Sequence, residues 1–228
     1  MLTAVAVVPS APVLVPELAT GAATEVADLR AAVLRAAAEL PDRWVVIGVA
    51  DDEAVVAPTA RGTFAGYGVD VPVALGPDPD GEPSELPLCA LIAGWVRAEA
   101  NPRAAAEVRA YAAALDPDAA VAAGRLLRAE VDATTEPVGV LVVADGANTL
   151  TPSAPGGHDP DSIEVQAALD DALAAGDAAG LAAADAHVVG RVAHQVLAGL
   201  LGERAASATE LYRGAPYGVG YFVGVLRP

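Results

Sequence analysis

Three short runs along the chain are almost wholly apolar: residues 2–8, 44–49 and 138–143, built largely of Val, Leu, Ile and Ala. An apolar run of this length without alternation reads as a strand buried on both faces. Each run ends in a polar or Pro-containing loop. Between them the pattern changes to a helical period, most clearly over residues 24–40, where Val26, Leu29, Val33, Leu34 and Leu40 form a stripe. Thr24 is placed to cap that helix and Asp28 lies in its first turns. Residues 116–130 and 163–175 read the same way, the second with Asp161 or Ser162 as cap and Gly176 just past its end. A longer helix is predicted over 183–201, stopping at Gly202. Residues 55–75, rich in Gly and β-branched side chains, predict further strands, and residues 76–87 predict a loop of Pro, Gly and acidic residues. Strands alternating with helices predict an α/β fold: a single domain, residues 1–228, with a mostly parallel central sheet flanked by helices.

Composition narrows the partners. The 228 residues carry 13 basic and 30 acidic side chains, a formal net charge of −17. All 13 basic residues are Arg, so Schiff-base and P-loop lysines are excluded. The field of the whole chain repels polyanions, which argues against nucleic acid and anionic membrane as partners. Alanine accounts for 55 positions, and no apolar run reaches the roughly 20 residues a membrane helix needs. The N-terminal segment lacks a basic region and is broken by Pro9, unlike a signal peptide. Together with the lone Cys89, expected to be a buried structural thiol, this predicts a cytoplasmic protein. The alanine-rich helices offer flat packing faces for a homo-oligomer, although GC-rich coding alone produces the same bias.

Ligands of open α/β sheets collect beyond the carboxyl ends of the strands. The loops after the three buried runs place Ser10, Asp51, Asp52, Glu53, Asp145 and Asn148 there. These residue types also form turns, so position alone leaves both roles open. The three histidines, His158, His187 and His194, supply no metal-binding spacing: His187 and His194, seven apart on the predicted helix, lie about 10 Å apart at 1.5 Å rise per residue. Asp51, Asp52, Glu53 and Asp145 leave an oxygen-only site for a hard cation as an alternative.

Residues 138–160, VGVLVVADGANTLTPSAPGGHDP, resemble the stretch around the catalytic histidine of the class III extradiol ring-cleavage dioxygenases, in their catalytic B-subunit superfamily and its Memo-like relatives. Residues 8–18, VPSAPVLVPEL, resemble that family's N-terminal loop, and residues 212–221, YRGAPYGVGY, its closing strand. The resemblance implies the family's α/β fold. In the family, two His and a carboxylate hold non-haem Fe(II), and a further His acts as acid/base. Here the first ligand position carries Ser10, the second falls on Ala50 beside Asp51, the acid/base position carries Asn148, with Asp145 in the same loop, and the carboxylate position falls at Arg213, near Glu210. An Asn amide cannot exchange protons near neutral pH.

The resemblance therefore implies a divergent member without the family's iron or its ring-cleavage activity. It implies a pocket of Ser10, Asp51, Asp52 and Asn148, with Arg213 available to a small anionic or aromatic ligand. The alternative expectation is an active oxidoreductase of ring-opening type, or a hydrolase, with a rebuilt metal site.

Overall fold

The structure, a computed structural model, describes residues 1–203 and 205–228. The chain runs β1 (Leu2–Val8), α1 (Pro16–Ala19), α2 (Ala27–Ala38), β2 (Arg43–Ala50), β3 (Ala54–Val56), β4 (Arg61–Thr63), β5 (Pro72–Ala74), α3 (Leu88–Ala100) and β6 (Ala105–Ala112). It continues through α4 (Pro117–Asp132), β7 (Val138–Val143), α5 (Asp161–Ala175), α6 (Ala178–Ala182), α7 (Arg191–Leu201), β8 (Ser207–Gly214) and β9 (Tyr221–Arg227). Seven strands form one sheet in the order β3-β6-β2-β7-β1-β9-β8, and β4 pairs with β5 apart from it.

The sheet corrects one expectation. It is mixed rather than mostly parallel: β6, β2, β7 and β1 run parallel, while β3, β9 and β8 are antiparallel to their neighbours. The apolar runs were legible because they are the central strands, covered on both faces. Of the antiparallel strands, β3 and β8 are the sheet edges with exposed or polar positions, while β9, beside β1, is buried from Tyr221 to Leu226. Strand period then divides the core in two. Ala4, Ala6, Val8, Val46, Leu141 and Val143 face α2 and α3, where Leu29, Val33, Ile92 and Trp95 pack. Val5, Val7, Val45, Ile47, Val140 and Val142 face the other way, onto Leu127, Leu173, Val192, Val196 and Leu197.

The helix ends differ from expectation for local reasons. Helix α2 begins at Ala27 behind Val26, with no side-chain cap, because Thr20–Ala23 coils as a 3-10 turn and Thr24 closes it. At α5 the capping oxygen belongs to Asp159, whose Oδ1 accepts from Asp161 N–H at 3.1 Å, while Gly176 is left-handed at φ 61° as the C-terminal signal required. Of the helix expected over 183–201 only the second half forms, as α7 from Arg191; α6 ends at Ala182, before that range. Between them the N–H groups of Val189 and Gly190 are spent elsewhere, on the carbonyls of Gly146 at 3.0 Å and Asp145 at 2.9 Å. That departure from the helix staples the loop after β7 to the start of α7.

Helices α4 and α7 cross at Gly124 and Gly199. A methyl group on either glycine would collide with a carbonyl oxygen of the other helix, Val196 or Val121. Such close approach presses α7, and the loop it carries, firmly onto the sheet.

Candidate functional site

Four parallel strands end on one edge of the sheet, and there the chain opens a cavity of about 280 Å³. Ser10 enters it from the loop after β1, Val49, Ala50 and Asp51 from the end of β2, Ala113 from beyond β6, and Val143, Ala144 and Asp145 from β7. Leu88 at the start of α3 and Val189 with Gly190 before α7 close the remaining sides. A wider trough of about 520 Å³ adjoins it, sharing Val49, Ala50, Asp51 and Leu88 and adding Asp52, Tyr67 and Glu85. Among the described residues no arginine lines either space.

Asp145 is the residue most affected by its setting. Part of its surface opens on the cavity, and dense protein surrounds the rest. Its Oδ1 accepts one hydrogen bond, from the Ser10 N–H at 2.8 Å. Burial pushes the carboxyl up to about 7, and the Ser10 bond opposes that only in part. Behind it, one turn into α7, His194 is sealed from solvent, and among the described residues neither of its ring nitrogens meets a partner at hydrogen-bond geometry. The nearby Asp145 backbone favours a proton on the ring, but burial outweighs it and pulls His194 down to about 4. The imidazole is therefore neutral at ordinary pH and lies in the wall rather than on the cavity.

Of the residues predicted to converge, Ser10, Asp51 and Asp145 share the inner cavity, while Asp52 lies on the adjoining trough. Three do not join them, and of these Glu53 lines neither space. Asn148 lies beyond the cavity lining, its side chain against Gly156 and its carbonyl accepting the Gly156 N–H at 3.0 Å. Arg213, expected to greet an anion, is held on the surface by Asp171 at 2.7 Å and Glu210 at 2.8 Å. It sits on edge strand β8, two strands from β1, where it also donates to the Asp170 carbonyl at 3.3 Å, and it is absent from the cavity lining. His187 falls outside α7, so the shared helix face with His194 does not form; its ring bridges Asp185 and Asp159.

The sequence also left a buried brace unread. The Ala147 N–H donates to Gln166 Oε1 at 2.8 Å, and Gln166 Nε2 donates to Asp170 Oδ1 at 2.8 Å. Gly146 and Gly220 make room for the Gln166 amide, which a side chain at either would strike. Its signal was a polar pair four residues apart on an otherwise apolar helix face.

An Fe(II) centre of the extradiol type does not fit these residues. No imidazole lines the cavity, and the described residues contain no group of three or more His, Cys, Asp or Glu side chains gathered to hold a metal ion. Asp51, Asp52, Glu53 and Asp145 thus do not assemble into an oxygen-only cage. Cys89 is buried under β2 against Gly48, with its thiol pushed up to about 11 by burial, unsuited to nucleophilic work.

Fold and cavity together define a mixed-sheet α/β protein with its cleft at the strand ends. No family model matches the chain. No curated protein matches it. Among solved structures it is similar to the crystal structure of uncharacterized protein JW3007 from Escherichia coli K12, with a TM-score of 0.61 and 12% sequence identity over 99% of this chain and 100% of that one. At that identity the likeness shows the fold alone. Among the described residues no helix is long and apolar enough to cross a membrane.

Proposed function

We propose that this chain is a divergent, cytoplasmic member of the class III extradiol dioxygenase B-subunit superfamily that lacks iron-dependent ring cleavage and binds a small aromatic molecule in the cavity of Ser10, Asp51 and Asp145. The observation that carries this reading is a strand-end cavity, at the place the resemblance gives the iron site, whose polar lining holds a hydroxyl and two carboxyls but no imidazole. A volume of about 280 Å³ is small for a ligand pocket and suits a single ring. Val49, Leu88, Val143 and Val189 supply apolar walls for it. The engagement of Arg213 elsewhere removes the cation that favoured an anionic ligand.

The test is metal analysis of protein made with iron supplementation and without a chelating tag, followed by anaerobic addition of Fe(II) and exposure to catechol and oxygen. Iron well below one equivalent and no ring-opened product are expected. Stoichiometric Fe(II) with oxygen-dependent cleavage of catechol would overturn the proposal in favour of a working oxidoreductase. Binding of catechol itself is read from shifts of the Ser10, Asp51 and Val143 amide signals.

A further inference from the structure

We infer that Asp145 meets its ligand as a neutral carboxylic acid, donating a hydrogen bond to a carbonyl or similar acceptor oxygen on a small uncharged ring. This rests on the proposed ligand-binding role of the cavity and names the chemistry of its occupant.

The argument is geometric. Among the described residues Asp145 accepts from a single donor, the Ser10 backbone N–H, which leaves the rest of the carboxyl to the cavity. A carboxylate taken from water needs a counter-charge or several donors to remain ionised. Neither is at hand. The groups that face it from the packed elements are Ser10 after β1, Asp51 at the end of β2, the neutral imidazole of His194 on α7, and Tyr221 at the start of β9. Asp51, on the same cavity, supplies neither a positive charge nor a hydrogen-bond donor to it. Arg213 is committed to Asp171 and Glu210, and Arg191 to Gln195 and the carbonyls of Ala113 and Leu115. The apolar side chains of Val143, Val189 and Leu88 complete the walls.

Under those conditions the cheaper state is the protonated one, and the proton points the site at acceptors. An anionic carboxylate ligand would meet Asp51 and is disfavoured. A neutral ring with a carbonyl oxygen accepts from Asp145 and lays its apolar edge on Val143 and Val189. Ser10, whose hydroxyl has no partner among the described residues, is free to add a second contact.

The experiment uses acetophenone as probe, because it is a neutral ring with an acceptor oxygen and does not titrate. Its affinity is measured by titration of the intact protein between pH 5.5 and 8.5. A carboxyl titrating at about 7 predicts roughly thirtyfold weaker binding at the upper pH. Asp145→Asn, which keeps a donor of the same shape, should bind acetophenone equally at both pH values, its fold confirmed by an unchanged amide spectrum. In parallel the Asp145 carboxyl carbon is followed by NMR without ligand. A midpoint near neutrality supports the inference. An ordinary carboxylate midpoint, or binding of acetophenone that is equally tight at pH 8.5, overturns it. Failure of both acetophenone and catechol to shift any cavity signal counts against the binding role itself, and the carboxyl titration then still decides the state of Asp145.

Discussion

Asp145 and Asp170 are both carboxyls withdrawn from water, one just after β7 and one within α5, and they differ in what surrounds them. Asp170 is closed into a chain of partners: Gln166 donates to it, Gln166 in turn holds the Ala147 N–H, and Arg213 reaches the Asp170 carbonyl at 3.3 Å. Burial raises it only to about 6, with the Gln166 bond and the Arg213 charge holding it down. Asp145 has one backbone donor and a cavity, and stands higher, at about 7. The two carry different work. A satisfied buried network fixes geometry, whereas a half-satisfied group beside open volume retains capacity for a ligand. Asp170 and Gln166 thus read as a brace that sets the loop after β7, and Asp145 as the group that the brace presents.

Breaking the brace should have the largest effect. Gln166→Leu removes the acceptor of the Ala147 N–H and the donor to Asp170 together, leaving two polar groups buried without partners. A cost of about 3 to 4 kcal/mol is expected in urea denaturation at pH 7. Asp145→Asn, by contrast, keeps the Ser10 bond and should not destabilise the protein at that pH. Equal losses in the two variants would erase the distinction between brace and presented group.

The distinction was only half legible in the sequence. The strands that build the cavity floor, β1, β2 and β7, announced themselves because burial on both faces demands unbroken apolar runs. The positional rule then led to Ser10, Asp51 and Asp145. It failed at Asn148 because the chain after Asp145 does not stay a loop. Gly146 and Ala147 pair with Gly220, their N–H and C=O groups bonding at 2.8 Å, which carries Asn148 away from the strand ends. Arg213 was placed by the resemblance instead, and nothing local says that β8 lies at the sheet edge. Strand β6 was missed because AAEVRAYA is half alanine, and its alternation of buried and half-buried positions carries little apolar contrast. The partnerless His194 had no sequence signal at all: its isolation depends on α7 being pressed against β7.

The second prediction separates the two groups on either side of the stapled loop by pH. In the unfolded chain a His near 6.5 takes up a proton that folded His194, at about 4, refuses. Its contribution to stability is therefore complete above pH 6.5 and lost as pH falls from 6.5 to 4. Asp145 does the reverse. Folded Asp145 holds its proton up to about 7 while the unfolded side chain releases it near 3.9, so stability is gained as pH falls through that window. The two slopes oppose each other over nearly the same range. Relative to the parent, Asp145→Asn should show almost no gain near pH 4 and a gain growing to about 4 kcal/mol by pH 7.5. His194→Leu should gain relative to the parent only below pH 6.5, by about 3 kcal/mol at pH 4. Difference curves from urea melts at closely spaced pH values check both. Two parallel curves would mean that neither group titrates as its surroundings dictate.

The smallest effect is expected at Arg213, where the comparison is sharpest about ligand binding. Its guanidinium makes surface ion pairs with Asp171 and Glu210, both solvent-accessible. Such pairs are screened and contribute about 0.2 to 1 kcal/mol. Arg213→Ala should cost less than about 1 kcal/mol, and the difference should shrink further in 0.5 M salt. The Asp170 carboxyl would titrate slightly higher once the opposing positive charge is gone. Binding of acetophenone in the strand-end cavity should not change, because the guanidinium is absent from its lining. An Arg213→Ala variant that lost binding while keeping its stability would put the arginine back at the ligand and make Asp170, rather than Asp145, the carboxyl that serves it.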